Sequence, residues 1–211
     1  MPYKLLSDHY KHCFEMHGDC AQGMGWPNQD DNRLRFDILT NIFEQYLSGK
    51  SKIKILDFAC GTSAYYEYLQ NRDIENMIDY TGIDIVDEFV STSKKKFPGN
   101  RYFCEDILTS NTLKLNAEFD FIIVNGLFTQ KLDMLEAEMY SFWEKTILKL
   151  STMTTFGLAF NTMSQLCDYK LDQAFHLDWL KAGTFIRNNI SQNLTIRNDY
   201  PLYESTFYVY Q

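Results

Sequence analysis

The sequence predicts an α/β fold built on a doubly wound sheet of seven strands, mostly parallel, with an antiparallel last strand and helices on both faces. Short apolar segments alternate with segments of helical periodicity along most of the chain. The last two strand-like segments, 193–198 and 204–210, are joined by only a few residues around Pro201. So short a connection allows only an antiparallel pairing, which makes the last strand antiparallel.

The elements can be placed in order from periodicity, caps and turn residues. In the segment after Asn28, for example, Leu34, Ile38 and Ile42 recur at helical spacing. Helices are predicted over residues 3–16, 30–48, from 63, 87–97, 131–151 and 173–189. Strands are predicted over residues 52–58, 79–84, 101–104, 119–124, 157–161, 193–198 and 204–210.

Length, charge and cysteine content limit the class of protein. The 211 residues predict a single domain, 1–211, with a helical N-terminal extension or lid (1–48) and a core (50–211). A net charge of −8 argues against nucleic acid and against an anionic membrane as partners. Five cysteines without a CxxC pair, and four scattered histidines, predict neither a disulfide framework nor a metal site. Without a long apolar run, a soluble, cytoplasmic monomer or homodimer is expected.

The end of the first strand predicts a ligand site. An apolar run closes on Asp57, and the small residues Ala59, Gly61 and Ser63 follow before the next helix, so a ligand can approach the backbone. A second acid, Asp84, ends the second strand, where doubly wound folds bind ribose hydroxyls. The pair predicts a nucleoside ligand. The turn lacks two glycines of the G-x-G-x-x-G dinucleotide fingerprint, which disfavours a pyrophosphate.

Four segments at strand ends together resemble the motifs of class I S-adenosylmethionine-dependent methyltransferases, which have a Rossmann-like fold. In that family the first turn usually reads E/D-x-G-x-G-x-G, whereas Ala59 and Ser63 stand here in place of the outer glycines. The resemblance covers about residues 50–211 and implies S-adenosylmethionine as the cofactor. The matching segments are 57–63, 82–84, 105–107 and 125–126.

The resemblance also implies roles for individual residues. Asp57 would hold the methionine amino group, Asp84 both ribose hydroxyls, and Asp106 the adenine amino group. Trp26, in a glycine-rich loop, would close over the cofactor as a lid. The alternatives are a helix N-cap for Asp84, a turn acid for Asp106 and a helix staple for Trp26. The full predicted cofactor set is Trp26, Arg35, Asp57, Ala59, Cys60, Gly61, Asp84, Ile85, Asp106, Ile107, Asn125 and Gly126.

A narrower resemblance concerns the methyl acceptor. Segments 17–18, 25–26, 35–36, 157–161 and 199–204 are similar to small stand-alone methyltransferases of surface-polysaccharide and specialised biosynthetic pathways. It implies methyl transfer to an oxygen of a sugar, nucleotide-sugar or phosphoryl-containing precursor. His17 or Asp199 is the candidate general base, with a purely structural role as the alternative for His17. Candidate acceptor-binding residues are Asn161, His176, Tyr200, Tyr203 and Glu204.

Two other functions remain open at this point. One is a non-catalytic subunit that binds S-adenosylmethionine or a partner, which the intact acids Asp57, Asp84 and Asp106 disfavour. The other is a nicotinamide oxidoreductase, which the missing glycines disfavour.

Overall fold

The computed structural model describes residues 2–49, 51–109 and 118–211. The helices are Lys4–His17 (α1), Gln29–Thr40 (α2), Ala64–Asn71 (α3), Asp87–Lys96 (α4), Glu136–Ser151 (α5) and Trp179–Asn189 (α6). The strands are Ile53–Phe58 (β1), Ile78–Asp84 (β2), Arg101–Cys104 (β3), Phe119–Phe128 (β4), Thr154–Met163 (β5), Asn193–Arg197 (β6) and Glu204–Tyr210 (β7). Within these residues no helix is both long and apolar enough to cross a membrane.

The strands form one seven-stranded sheet in the order β3-β2-β1-β4-β5-β7-β6. The pairs from β3 to β5 are parallel, and β7 runs antiparallel to both of its neighbours. The predicted fold class is therefore confirmed. The strand order reverses between β1 and β4, so the crevice at the carboxyl ends of these strands is where an open α/β sheet binds ligands.

Side-chain alternation along the strands divides the core into two apolar layers. In β1, Leu56 and Phe58 face the layer that contains α5 and α6, whereas Ile53 and Ile55 face the layer that contains α2 and α3. Successive side chains of a strand point to opposite faces, so a strand buried on both faces reads as the nearly continuous apolar run seen in the sequence. Asp57 faces the second layer and is the buried acid of β1.

The N-terminal segment packs into both layers. Tyr3, the N-cap of α1, and Leu6 of α1 belong to the α5 layer, and Phe36 and Leu39 of α2 belong to the other. The N-terminal segment therefore contributes side chains to both apolar layers that cover the sheet. The division of the domain into a lid and a core remains a prediction.

Three predicted helix boundaries are wrong. Helix α2 ends at Thr40, because Phe43 leaves the helical conformation (φ −120°, ψ 0°) as it packs against Phe121 of the sheet. A short 3-10 turn, Glu44–Tyr46, follows it. Tertiary packing here overrides a helical pattern in the sequence.

The other two corrections have one common cause. Helices α5 and α6 begin later than predicted because the segments before them pair with each other. Lys131 N–H donates to Gln173 O at 2.7 Å, and Phe175 N–H donates to Thr129 O at 2.9 Å. Because the two segments satisfy these backbone groups in each other, they do not need a helical conformation to pair them.

Candidate functional site

A cavity lies at the carboxyl ends of β1, β2 and β4, the edge at which the strand order reverses. Its empty volume is about 1130 Å³, including the open mouth. Helix α1 and the segment between α1 and α2 supply much of the remaining wall. The polar and charged lining includes Tyr3, Ser7, Tyr10, Asn32, Asp57, Thr62, Tyr65, Asp84, Glu105, Asp106 and Asn125.

The turn after β1 keeps a glycine-like backbone although it contains only one glycine. Ala59, Gly61 and Ser63 have φ values of 59°, 53° and 63°. The left-handed conformation is unfavourable for residues with a Cβ and persists where the surroundings enforce it, often at functional sites. The turn therefore retains the conformation that the family's glycines favour at the two positions where Ala59 and Ser63 replace them.

Asp84 is held in place by backbone groups. Its Oδ2 accepts a hydrogen bond from Gly61 N–H at 2.9 Å, and its Oδ1 accepts one from Val86 N–H at 3.0 Å. Burial raises the pKa of the carboxyl group, and the backbone hydrogen bonds oppose that rise. A carboxylate has about four lone-pair sites. Two backbone donors therefore orient Asp84 and leave capacity for two hydroxyl groups.

Asp57 is a buried acid beside Asp84. Only 2% of it is exposed, and Tyr80 Oη–H donates to its Oδ2 at 2.6 Å. Burial raises the pKa of Asp57 to about 7, with a smaller upward contribution from the charge of Asp84, while the Tyr80 hydrogen bond lowers it. A buried carboxylate of this kind gains a great deal from a cationic partner.

Two buried polar atoms in the cavity wall have no hydrogen-bond partner among the described residues. They are Thr62 Oγ1 and Asn125 Oδ1. Asn125 Nδ2 donates to Asn32 Oδ1 at 3.1 Å, which fixes the amide so that its carbonyl oxygen stays available as an acceptor. Buried polar groups are nearly always satisfied. These two atoms therefore offer one donor and one acceptor to a ligand.

The other end of the cavity combines Asp106 with apolar walls. Tyr3 Oη–H donates to Asp106 Oδ2 at 2.7 Å, and Leu108 N–H donates to Oδ1 at 3.0 Å. Ile85 and Ile107 line the cavity near this acid, a combination suited to a flat aromatic base with an exocyclic amino group.

Sequence reasoning missed the contribution of α1. Tyr3, Leu6 and Tyr10 line the cavity at a spacing of three and four residues. That spacing places them on one face of the helix. It was visible in the sequence, but no motif indicated that this face meets a ligand cavity rather than ordinary core.

The cavity contains every predicted cofactor residue except Arg35. Arg35 is buried, forms an ion pair with Glu204 and does not line the cavity, so its contact with the cofactor stays a prediction. The structure brings the remaining residues of the set to one cavity, and their individual roles stay predictions.

Both predicted general bases lie outside the cavity. His17 is the last residue of α1 and is exposed. Asp199 is exposed and accepts a hydrogen bond from Arg197 Nε at 2.8 Å, and this contact lowers its pKa. A carboxylate stabilised by an arginine is a weaker base, which disfavours Asp199 as the general base, and its role stays a prediction.

The predicted acceptor-binding residues also lie away from this cavity. Asn161 and Glu204 are buried and bind each other, and Tyr200 Oη shares a 2.8 Å hydrogen bond with Thr206 Oγ1. His176 Nδ1 donates to Ser164 O at 2.6 Å. Tyr203 is 52% exposed. None of the five lines the cavity.

Comparison with known proteins supports a methyltransferase with its cofactor site in this cavity. A family model described as a methyltransferase domain matches residues 56–138, which include the first turn, Asp84, Asp106 and Asn125. The chain is 27% identical over 160 residues to Rv1506c of Mycobacterium tuberculosis, whose name gives it as a methyltransferase and specifies no acceptor. The match covers 74% of this chain and 91% of that protein.

Two solved structures have a similar fold at low identity. Magnesium protoporphyrin IX methyltransferase of Synechocystis, with bound S-adenosylmethionine, has a TM-score of 0.65 at 12% identity and covers 100% of this chain and 97% of its own. An amino pentose methyltransferase of Micromonospora echinaspora, also with bound S-adenosylmethionine, has a TM-score of 0.56 at 13% identity. The match covers 85% of this chain and 90% of that protein. At such identities the likeness concerns the fold.

The geometry of the site and the matching methyltransferase domain point to the same family. The geometric features are the sheet order, the turn after β1 and the acids near the strand ends. These findings support a class I S-adenosylmethionine-dependent methyltransferase.

Proposed function

We propose that the cavity binds S-adenosylmethionine and that the chain transfers its methyl group to an oxygen of a small polar acceptor. The observation that carries this proposal is the match between the cavity's polar groups and those of the cofactor. Asp84 is oriented for two hydroxyls, and Asp57 has a tyrosine rather than a cation as its hydrogen-bond partner. Thr62 and Asn125 each hold an unsatisfied buried atom among the described residues.

The match extends along the cofactor. Asp57 and Asn125 Oδ1 accept from the methionine ammonium, Thr62 Oγ1 donates to its carboxylate, and Asp84 accepts from the ribose. Asp106 accepts from the adenine amino group, beside the apolar walls. Charge-assisted hydrogen bonds of this kind are the strong ones, which suits a ligand that carries both charges.

The chain's own contribution to the reaction is positioning and exclusion of water. The bound cofactor supplies a methyl group already activated by its sulfonium. Trp26, Met24 and the face of α1 cover the strand ends and keep the site dry. The fixed turn and Asn125 hold the donor end in one orientation. Alignment of this type supplies a large part of the rate enhancement of a bimolecular transfer.

We further propose a sugar, nucleotide-sugar or phosphoryl-containing precursor of a surface polysaccharide as the acceptor. The motif resemblance to polysaccharide-pathway enzymes supports this class, and one protein of similar fold is an amino pentose methyltransferase. The test is transfer of labelled methyl from S-adenosylmethionine to a panel of sugars, nucleotide sugars and phosphosugars, with porphyrin and acyl carboxylates as controls. Transfer to a carboxylate alone would overturn this acceptor class.

The alternative function is a subunit that binds the cofactor without transferring its methyl group. It predicts the same cofactor affinity and no methylated product with any acceptor. Calorimetric binding of S-adenosylhomocysteine together with the acceptor panel separates the two functions.

The affinity for S-adenosylhomocysteine is expected to increase as the pH rises from about 6 to about 8. The pKa of Asp57 is raised from 3.8 to about 7, so the acid gains the charge that attracts the ligand's ammonium over this range. Calorimetry across the range measures the effect. Tyr80→Phe removes the hydrogen bond that lowers this pKa and should move the midpoint upward. A flat profile in both proteins would contradict the role of Asp57.

The same shift has a consequence for the unliganded protein. The folded state retains the Asp57 proton that the unfolded chain loses near pH 3.8. The raised pKa of Asp57 therefore favours the folded state fully below about pH 3.8, and this stabilisation is lost as the pH rises to about 7.

Replacing His17 by asparagine is expected to leave turnover and its pH profile unchanged. The imidazole is exposed at the end of α1 and does not line the cavity. Steady-state rates between pH 6 and 9 provide the measurement. A loss of about a hundredfold, with disappearance of an ascending limb near neutral pH, would instead establish His17 as the general base.

A further inference from the structure

A buried ion pair links the last strand, β7, to helix α2. Arg35 of α2 and Glu204 of β7 lie 169 positions apart in the chain. Arg35 Nε and Nη2 both donate to Glu204 Oε1, at 2.8 Å and 2.5 Å. The two side chains are only 7% and 3% exposed, so this pair is shielded from solvent.

The second oxygen of Glu204 orients the side-chain amide of Asn161, which in turn binds Gly126. Asn161 Nδ2 donates to Glu204 Oε2 at 2.7 Å. The opposite end of the same amide, Asn161 Oδ1, accepts from Gly126 N–H at 2.7 Å. Because a carboxylate can only accept, Glu204 forces the nitrogen of Asn161 toward itself and the oxygen toward Gly126.

Trp26 completes a closed ring of contacts. The Arg35 guanidinium lies 4.2 Å from the centre of the Trp26 ring. Trp26 in turn lies against Gly126, where an added Cβ would approach the indole to 2.4 Å. Gly126 has a φ of +80°, so its backbone conformation and this close approach both require glycine. We name this set, Trp26, Arg35, Gly126, Asn161 and Glu204, the clamp ring.

Only Trp26 and Gly126 of the clamp ring line the cavity. Arg35, Asn161 and Glu204 lie behind them. A buried ion pair usually contributes little net stability, because its desolvation offsets its attraction. Its geometric effect is larger, since a guanidinium fork and a carboxylate fix each other's orientation. Arg35 contacts Trp26, and Asn161 binds Gly126 N–H, so the fixed pair holds two parts of the cavity wall in position.

We propose that Glu204, acting through Arg35 and Asn161, is a positioning residue that sets Trp26 and the Gly126 backbone for cofactor binding. This inference rests on the proposed binding of S-adenosylmethionine in the cavity. It assigns to three residues outside the cavity a role in shaping its wall.

The test begins with Glu204→Gln, which keeps the shape of the side chain. Glutamine offers one acceptor and one donor group, and every orientation of it places two donors against each other. The clash falls at Arg35, at Asn161 or, if the Asn161 amide turns, at Gly126 N–H. Calorimetry with S-adenosylhomocysteine is expected to show affinity lower by about tenfold or more. Hydrogen exchange at the Gly126 amide should become faster.

The decisive variant is the double substitution Glu204→Gln with Asn161→Asp. The introduced aspartate then accepts from both Gly126 N–H and the glutamine amide, whose oxygen accepts from Arg35, so every hydrogen bond regains a donor and an acceptor. Affinity and Gly126 protection should return to within about threefold of the original protein, a non-additive rescue. A role limited to stability gives no reason for this recovery.

The matched control is Ser205→Ala, at the next position of β7. It removes the 3.1 Å hydrogen bond from Trp179 Nε1 and leaves the clamp ring intact. It should lower the melting temperature without changing affinity. If Glu204→Gln behaves like Ser205→Ala, the inference is overturned. Failure of the folded double variant to recover would overturn it as well.

Two further measurements keep the outcome unambiguous. If Glu204→Gln does not fold, Arg35→Lys replaces it, since lysine keeps the charge but not the double contact or the stacking on Trp26. Unchanged affinity in Arg35→Lys would then count against the inference. If the original protein does not bind S-adenosylhomocysteine, the proposed function fails, and Gly126 exchange in the single and double variants still tests the clamp ring.

Discussion

Replacing Gly61 by valine is expected to abolish cofactor binding. Gly61 has a φ of +53°, and a Cβ built there would lie 2.9 Å from Met24 Sδ, in the wall of the cavity. A β-branched side chain resists this conformation and fills the space that the ligand needs beside the backbone. Its strain also displaces Gly61 N–H, which holds Asp84. Calorimetry with S-adenosylhomocysteine should detect no heat of binding.

Gly99→Val is the matched control for Gly61→Val. Gly99 is exposed, and a Cβ added there meets nothing within 4 Å. This variant should bind the cofactor like the original protein. Ordinary affinity in a folded Gly61→Val variant would show that the ligand binds elsewhere.

Replacing Asp84 by alanine is expected to weaken cofactor binding by roughly tenfold to a hundredfold. The change removes a charged acceptor from two ribose hydroxyls, and hydrogen bonds to charged groups contribute about 1.5–3 kcal/mol. It also leaves Gly61 N–H and Val86 N–H without their acceptor, so some loss of stability is expected. Calorimetry at a temperature where circular dichroism shows a folded protein separates the two effects.

Asp87→Ala removes an exposed acid from the first turn of the next helix and serves as the control for charge. Its effect on affinity should be small, because solvent screens exposed charges. If Asp84→Ala and Asp87→Ala bind the cofactor equally well, the ribose assignment is wrong.

Most parts of the site predicted from sequence lie near the end of a strand, and Trp26, in the loop before α2, is the exception. Asp57, Asp84, Asp106 and Gly126 lie within two residues of strand carboxyl ends, and parallel strands bring such ends to one edge of the sheet. Local pattern and strand direction were therefore enough to place them together. Their grouping in one cavity follows from the fold class.

Sequence reasoning missed contacts between residues that are far apart in the chain. Arg35 and Glu204 were assigned to ligands because they are polar residues in suggestive segments, yet they bind each other. The late starts of α5 and α6 result from pairing between residues near 131 and residues near 173. Local propensity contains no information about this ion pair or about this backbone pairing.

The sequence by itself determined the alternation of strands and helices, the antiparallel last strand and the turn at which the ligand approaches, because periodicity, small residues and connection length act locally. Only the tertiary structure decided that the Tyr3 face of α1 forms a cavity wall, that His17 lies outside it, and that Glu204 reaches Gly126 through Asn161. Those outcomes depend on how segments far apart in the chain pack against the sheet, and packing selects among arrangements that local patterns permit equally.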